Sequence, residues 1–212
     1  MEASSLLPEL LRSREVWLTL FTAYILGAIP FGLIITKFFL GFDVRDQGSG
    51  NIGMTNVMRT AGKVPGIATF LLDFGKGFLA VFLVFYFFEQ PPIVLALAGF
   101  FAVFGHTRSI FLSFTGGKGV ATNFGVWAIL DWRIFVLSAL TWAVIFGLKK
   151  VSSLSALCSL IVLPIIAASF HGLTPLTAAA ILLSTYIILL HKENIIRLVS
   201  GEEGALKAKK ES

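Results

Sequence analysis

Charged residues and cysteine are scarce in this sequence of 212 residues. Only 14% of the residues are charged and one, Cys158, is a cysteine, whereas an average soluble domain has about 25% charged residues. A single cysteine excludes a disulfide framework and the paired cysteines of a zinc or redox site. Because Cys158 lies in an apolar stretch, we interpret it as a small core residue. The small number of charged residues cannot cover the surface of a water-soluble globular protein.

Apolar side chains dominate instead. They make up 56% of the sequence, which includes 21 phenylalanines, and the mean hydropathy is +0.87. This composition excludes a disordered chain and predicts an all-α integral membrane protein. The net charge is +5, but the cations lie in loops beside apolar stretches. This pattern favours anionic lipid or a phosphorylated substrate over nucleic acid.

Seven apolar stretches are predicted to be transmembrane helices, and three of them are short for a hydrocarbon core of about 30 Å. The first contains Gly27, Pro30 and Gly32, which predict a kink. We expect an N-terminal leader or interfacial helix at 1–15, a membrane domain at 16–200 and a charged cytoplasmic tail at 201–212. The seven stretches are 16–40, 64–88, 93–104, 120–130, 134–148, 154–169 and 176–190.

The distribution of loop cations predicts the orientation, because Lys and Arg are retained on the cytoplasmic side. With the N-terminus outside and the C-terminus in the cytoplasm, the outer loops hold only Arg12, Arg14 and Arg133. This orientation places the polar segments 41–63, 105–119 and 191–201 on one face. The inner cations beside these segments include Arg45, Arg59, Lys63, Arg108, Lys118 and Lys192.

Two glycine-rich segments are candidate phosphate sites. GSGNIGMTNVMR at 48–59 combines glycines, hydroxyls, amides and Arg59, and such groups can surround an anion with donors. GGKG at 116–119 precedes an apolar helix, where backbone N–H groups and Lys118 favour an anion. It is not a nucleotide-binding P-loop, because glycine follows the lysine. Taken alone, each segment also fits an ordinary turn.

Other polar residues stand beside or within apolar stretches. His191 begins the segment HKENIIRL, which follows the last apolar stretch. Taken alone, it also fits an interfacial anchor. The His-x-x-x-x-Asp pair of a charge-relay site is absent, because position 196 is isoleucine. Asp73 and Lys76 lie three residues apart, share one helix face and can neutralise each other. No metal or cofactor is expected, because the loop carboxylates lack a partnered His or Cys spacing. Whether a Mg²⁺ ion accompanies a substrate phosphate is left open by the sequence.

Together these motifs resemble the signatures of the bacterial acyl-phosphate:glycerol-3-phosphate acyltransferases, the PlsY family. The match extends to GAIPFG at 27–32, LLDFGKG at 71–77 and GH at 105–106, and covers most of residues 16–200. The resemblance implies transfer of a fatty acyl group from acyl phosphate to the sn-1 hydroxyl of glycerol 3-phosphate. The products would be lysophosphatidic acid and phosphate, made at the cytoplasmic face of the inner membrane. Met54, Ser109 and Thr115 depart from the family pattern, and Thr115 replaces a common lysine.

The resemblance also implies roles for the motif residues. Four would be catalytic: Ser49, Arg59, His191 and Asn194. The resemblance associates Gly116, Gly117 and Gly119 with glycerol 3-phosphate binding and Glu193 with a structural role. Amide groups and positive charge make four more residues candidates for substrate binding: Asn51, Asn56, Arg45 and Lys118. Asp73 and Lys76 are interpreted as structural because they share one helix face.

Several alternatives stay open at this point. Ser49 is assigned to binding a phosphate or carbonyl oxygen, with a covalent nucleophile as the alternative. The proton acceptor is His191 or a substrate phosphate oxygen, and Arg59 and Lys118 are interchangeable between the two phosphates. A phosphate-ester or lipid transporter would need polar residues through several spans, but only Asp73 and Lys76 lie at depth. A structural membrane subunit would leave the motifs unexplained. The sequence determines neither the acyl-chain preference nor the oligomeric state, and a monomer is one of the possible states.

Overall fold

The structure, a computed structural model, describes residues 12–88 and 91–204, which are almost entirely helical. The predicted leader lies outside the described residues up to residue 11, and so does the predicted tail from 205 onwards. The all-α membrane class is confirmed. The helices are α1 Arg14–Ala28, α2 Phe31–Ile34, α3 Met54–Ala61, α4 Lys63–Phe88, α5 Pro92–Thr107, α6 Val120–Leu130, α7 Trp132–Lys149, α8 Ser152–His171, α9 Pro175–Leu190 and α10 Lys192–Val199.

Six of the seven predicted apolar stretches coincide with one helix each, and the first, 16–40, is divided among α1, α2 and a π-helical turn. Within 12–88 and 91–204, four are long and apolar enough to cross a membrane, and α9 with α10 makes a fifth if that pair, bent by 63°, is one span. α5 and α6 remain short, with 16 and 11 residues. α7 extends to 18 residues, because Asp131 caps its start by accepting the Arg133 N–H at 2.9 Å. The orientation of the termini stays a prediction.

The predicted kink in the first stretch is present. α1 ends at Ala28, and Pro30 follows with φ −90° and ψ 71°, outside helical geometry. Proline interrupts a helix because it lacks an N–H and its ring clashes with the preceding turn. The chain resumes as α2 and a π-helical turn at Ile35–Phe39. A methyl group at Gly27 would overlap the backbone of Ala102, so this glycine lets α1 approach α5 closely.

Glycines also bring α4 and α6 into close contact. A side chain at Gly77 would overlap the backbone of Thr122, and one at Gly125 would overlap the backbone of Phe74. Small residues permit such close helix packing inside membranes, where van der Waals contact drives association. α6 is therefore held inside the bundle although it is only 11 residues long, and its Trp127 is fully buried.

The order of the helices brings the polar segments to one end of the bundle. Consecutive helices joined by short loops run in opposite directions. The C-terminal ends of α5, α7 and α9 therefore lie at the same end of the bundle as the N-terminal ends of α6 and α8. Residues from 48–59, from 118–121 and from the α9–α10 junction line one common cavity. The prediction that these segments share one face of the molecule is confirmed.

Candidate active site

The cavity at this end of the bundle has a volume of about 740 Å³. It combines residues of all three motifs with the first turn of α8 and the turn that follows α10. Arg59, Lys118 and Arg197 bring positive charge to it. The residues of the predicted site that line the cavity are Ser49, Asn51, Asn56, Arg59, Asp73, Lys118, Gly119, His191 and Asn194.

Arg45 does not line the cavity. It lies in the 3₁₀ turn Val44–Asp46, and its guanidinium is 2.6 Å from the carboxylate of Asp43 near the surface. The hydrogen bonds from Arg45 lower the pKa of Asp43 to about 2. Arg45 is therefore already paired at the edge of the loop. Glu193 also lies outside the cavity lining, and its side chain is exposed on α10.

Asn56 organises the loop of the first motif. Its side-chain oxygen accepts the backbone N–H of Ser49 at 2.8 Å, and its amide nitrogen donates to the carbonyls of Val44 and Gln47. Gly48 has φ +60° and packs on this amide, a conformation that glycine adopts without steric cost. The buried Asn56 amide therefore holds Ser49 in position at the cavity, in addition to lining it.

Two glycines of the second motif, Gly116 and Gly117, pack against His106 at the end of α5. The Gly117 N–H donates to the His106 carbonyl at 3.1 Å. A methyl group at Gly116 would overlap that carbonyl, and one at Gly117 would overlap the imidazole. Gly119 has φ +89° and immediately precedes α6. Glycines at these positions allow the loop to lie flat on His106, which leaves Lys118 on the cavity side.

His191 sits at the end of α9 with only 3% of its surface exposed. Its Nδ1 is 2.8 Å from the Ile187 carbonyl oxygen. A carbonyl oxygen only accepts, so Nδ1 carries the proton in this contact. In the neutral ring the other nitrogen, Nε2, is then the acceptor. The helix end thus holds the tautomer that can take a proton from a bound hydroxyl.

Asn194 and Lys118 join the second and third motifs. The Lys118 ammonium donates to Oδ1 of Asn194, and Nδ2 of Asn194 donates to Glu203 at 2.6 Å. Burial, followed by the nearby Arg197 cation, lowers the pKa of Lys118. Two segments 76 residues apart in sequence therefore meet through one side-chain amide.

Sequence reasoning missed Glu203, Ser153 and Arg197, which meet at the cavity. Oε1 of Glu203 accepts from the Ser153 hydroxyl at 2.6 Å, and Oε2 accepts from Nε of Arg197 at 2.6 Å. Glu203 reaches the cavity because the chain turns back after α10, at Gly201 with φ +75°. A glycine just past a helix end is the sequence signal for such a turn. That signal indicates a turn but not what it contacts.

Asp73 and Lys76 form the ion pair that their spacing predicts. The Lys76 Nζ is 2.8 Å from Oδ1 of Asp73, and both side chains are almost completely buried. Lys76 also donates to the Ile29 carbonyl at the kink after α1. His106 Nδ1 lies 3.5 Å from the same carboxylate oxygen. This cluster links α4 to the first kink and to the histidine on which the glycine loop packs.

One part of the cavity wall is apolar and comes from α4, α6, α7 and α8. A polar end with several cations beside an apolar wall between helices suits a ligand that has an anionic head and a hydrocarbon chain. Among residues 12–88 and 91–204, no three His, Cys, Asp or Glu side chains are grouped to hold a metal ion. The apolar wall includes Phe70, Phe124, Phe135, Ala139, Trp142 and Ala156.

The fold and the cavity define a multi-pass membrane protein whose cavity joins a cationic end to an apolar wall. The sequence model of the glycerol-3-phosphate acyltransferases matches residues 17–201. A glycerol-3-phosphate acyltransferase of Caulobacter vibrioides is 41% identical over 187 residues, which cover 88% of this chain and 86% of the relative. One from Dinoroseobacter shibae is 44% identical over 89% of this chain and 91% of the relative. The chain belongs to the glycerol-3-phosphate acyltransferase family.

Two solved structures share the fold. The crystal structure of PlsY, an integral membrane glycerol 3-phosphate acyltransferase, in its glycerol 3-phosphate form has a TM-score of 0.86 and 36% identity. It covers 91% of this chain and 96% of that protein. The lysophosphatidic acid form has a TM-score of 0.84 at the same identity and covers 90% and 95%. The resemblance inferred from the motifs is confirmed at the level of family and fold.

Proposed function

We propose that this protein transfers a fatty acyl group from acyl phosphate to the sn-1 hydroxyl of glycerol 3-phosphate, releasing lysophosphatidic acid and phosphate. The observation that carries the proposal is one cavity in which cations and His191 adjoin an apolar wall between helices. An acyl phosphate fits this arrangement, since its phosphate is anionic and its chain is apolar. The forms in which PlsY was crystallised support glycerol 3-phosphate as acceptor and lysophosphatidic acid as product.

The cations of the cavity would bind the two substrate phosphates. Two phosphate groups carry about three to four negative charges near neutral pH. Arg59, Lys118 and Arg197 line the cavity, and Arg59 and Arg197 can each bind phosphate bidentately. Glu203 reduces the free charge of Arg197 by pairing with it at 2.6 Å. We therefore assign the strongest phosphate binding to Arg59 and Lys118, in either order.

The reaction needs positioning and charge neutralisation more than a covalent intermediate, because acyl phosphate is a mixed anhydride with a good leaving group. The acceptor hydroxyl attacks the acyl carbon, the C–O bond to phosphate breaks, and phosphate departs. Nε2 of His191 is the protein's candidate proton acceptor, since Nδ1 is bonded to Ile187. A phosphate oxygen of the substrate is the alternative base, in which case His191 orients the hydroxyl.

The other predicted residues divide between binding and support. Ser49 lines the cavity, and we assign it to a phosphate or carbonyl oxygen rather than to covalent catalysis. Asn51 accepts the Gly53 N–H at 2.9 Å and supports the same loop as Asn56. Gly116, Gly117 and Gly119 are assigned to glycerol 3-phosphate binding, and the packing of Gly116 and Gly117 on His106 also leaves Lys118 on the cavity side. We place the enzyme in the bacterial inner membrane, with this cavity on the cytoplasmic side.

The test is product formation by the purified protein in lipid. Labelled glycerol 3-phosphate is supplied with palmitoyl phosphate, and with palmitoyl-CoA as the comparison donor. Lysophosphatidic acid from palmitoyl phosphate alone supports the proposal. Product from the CoA donor alone contradicts the donor assignment. No product from either donor, with folded protein, contradicts the proposed reaction and favours transport of a phosphate ester.

A further inference from the structure

The turn after α10 carries a carboxylate into the cavity. The N–H groups of Glu202 and Glu203 donate to the Arg197 carbonyl at 2.8 and 3.0 Å, which holds the turn in place. The Glu203 side chain is only 12% exposed. It accepts from Ser153 and Asn194 through Oε1 and from Arg197 through Oε2, each at 2.6 Å. Glu203 therefore connects the start of α8 with two positions on α10.

The partners of Asn194 determine which way its amide faces. A lysine ammonium only donates hydrogen bonds, and an ionised carboxylate only accepts them. The amide oxygen must then face Lys118, and the amide nitrogen must face Glu203, as the structure has them. A flipped amide would place NH₂ against the ammonium and oxygen against the carboxylate. Both polar groups of Asn194 are engaged by protein partners.

The carboxylate form of Glu203 is favoured by its surroundings. Burial raises the pKa of Glu203. The hydrogen bonds from Ser153, Asn194 and Arg197, together with the Arg197 charge, lower it by more than burial raises it, so the pKa lies below the ordinary value. The group therefore keeps its acceptor-only character at neutral pH.

We infer that Glu203 is a positioning residue: it fixes the orientation of the Asn194 amide and, through that amide, the place of the Lys118 ammonium in the cavity. Asn194 then acts between two protein charges rather than on the substrate. The kinetic consequence rests on the proposed function, in which Lys118 binds a substrate phosphate. A displaced ammonium weakens that binding, and we expect the weaker binding to appear mainly as a higher KM for glycerol 3-phosphate.

The test exchanges the two hydrogen-bonding roles. Asn194→Asp places a second carboxylate against Glu203, so we expect kcat/KM to fall by well over tenfold. Glu203→Gln alone should cost about tenfold, the ratio that corresponds to about 1.4 kcal/mol. In the double variant N194D/E203Q, the glutamine side chain at position 203 donates its amide N–H to the new carboxylate, which still faces Lys118. The double variant should therefore recover at least about tenfold of the loss caused by N194D.

Controls separate positioning from stability and from general charge. Melting temperatures are measured for all variants in the same detergent, and the comparison of N194D with N194D/E203Q is made at matched fractions of folded protein. Glu202→Gln removes the same charge from the same turn at a residue that also lines the cavity, whereas the Asn194 amide is hydrogen-bonded to Lys118 and Glu203. A loss in E202Q as large as that in E203Q, a double variant no better than N194D, or wild-type kinetics in E203Q would each overturn the inference.

Failure of the proposed function gives a different result. If the folded wild type makes no lysophosphatidic acid from palmitoyl phosphate, the proposed reaction is contradicted. Calorimetric binding of glycerol 3-phosphate to the same variants then tests Glu203 by itself. Weaker binding in N194D that is restored in N194D/E203Q supports the positioning role, and equal binding in those two variants refutes it.

Discussion

Breaking the buried Asp73–Lys76 ion pair should destabilise the protein strongly. The charged atoms are 2.8 Å apart, and the side chains are only 2–3% exposed. At an effective dielectric constant of about 20, their attraction is about 6 kcal/mol before the cost of removing both ions from water. Asp73→Asn keeps the shape of the side chain but leaves the Lys76 charge without its carboxylate. Removing one partner of a buried pair costs about 3–5 kcal/mol.

The assay is thermal unfolding of the purified protein in a fixed detergent. One kcal/mol shifts the melting temperature of a chain of this size by about 2–4 °C, so D73N should melt about 6–20 °C below the wild type. Arg45→Gln is the matched control, because it breaks an ion pair of similar length whose Arg45 side chain is 42% exposed. Exposed pairs contribute about 0–1 kcal/mol, so R45Q should melt within about 4 °C of the wild type.

A double substitution separates lost pairing from lost packing. D73L/K76M removes both charges and fills a similar volume, and such replacements are often neutral or stabilising. It should therefore melt well above D73N, although His106 loses its neighbouring carboxylate. The reasoning would be refuted by a D73N protein as stable as R45Q, or by a double variant as unstable as D73N.

Three further predictions concern the cavity. Gly117→Ala should lower both activity and melting temperature because its methyl group would overlap the His106 imidazole, whereas Gly75→Ala, which meets open space, should leave the melting temperature unchanged or raised. His191→Ala should lower kcat by about 10²–10⁴-fold if Nε2 takes the proton; near-normal turnover would contradict both a base and an orienting role. Because burial lowers the pKa of Lys118, its positive charge is lost as pH rises through that lowered pKa, so kcat/KM for glycerol 3-phosphate should fall on the alkaline side. Lys118→Arg should move this fall to higher pH, and an unchanged alkaline limb would exclude Lys118 as its origin.

Much of the fold is predictable because lipid imposes simple rules on sequence. A chain that crosses hydrocarbon must satisfy its backbone within helices, so the seven apolar stretches could be located from hydropathy alone. Proline and glycine chemistry predicted the kink at Pro30, and helical spacing predicted the pairing of Asp73 with Lys76. The start of α7 was harder to predict and α10 was not among the predicted helices, because capping by Asp131 and the turn at Gly201 depend on few residues.

The motif residues could be gathered from sequence, but their contacts could not. Asn56 is predicted to bind substrate, and the structure adds that its amide hydrogen-bonds three backbone groups of its own loop. Gly116 and Gly117 are predicted to bind a phosphate, and the structure adds that they pack against His106. Glu203 was placed in a tail, although it lies between Ser153, Asn194 and Arg197. Each of these contacts joins atoms whose meeting depends on how loops fold back.

The sequence by itself determined the membrane class, the approximate helices, the family and the end of the molecule where its polar motifs gather. The family follows from the resemblance of the motifs, and the other properties follow from hydropathy, residue spacing and local turn chemistry, which act over a few residues. Only the tertiary structure decided which groups face the cavity and which support them. The Lys118–Asn194–Glu203 connection joins three segments through side-chain hydrogen bonds, and such contacts form only at short range, so they depend on the packing of several helices at once.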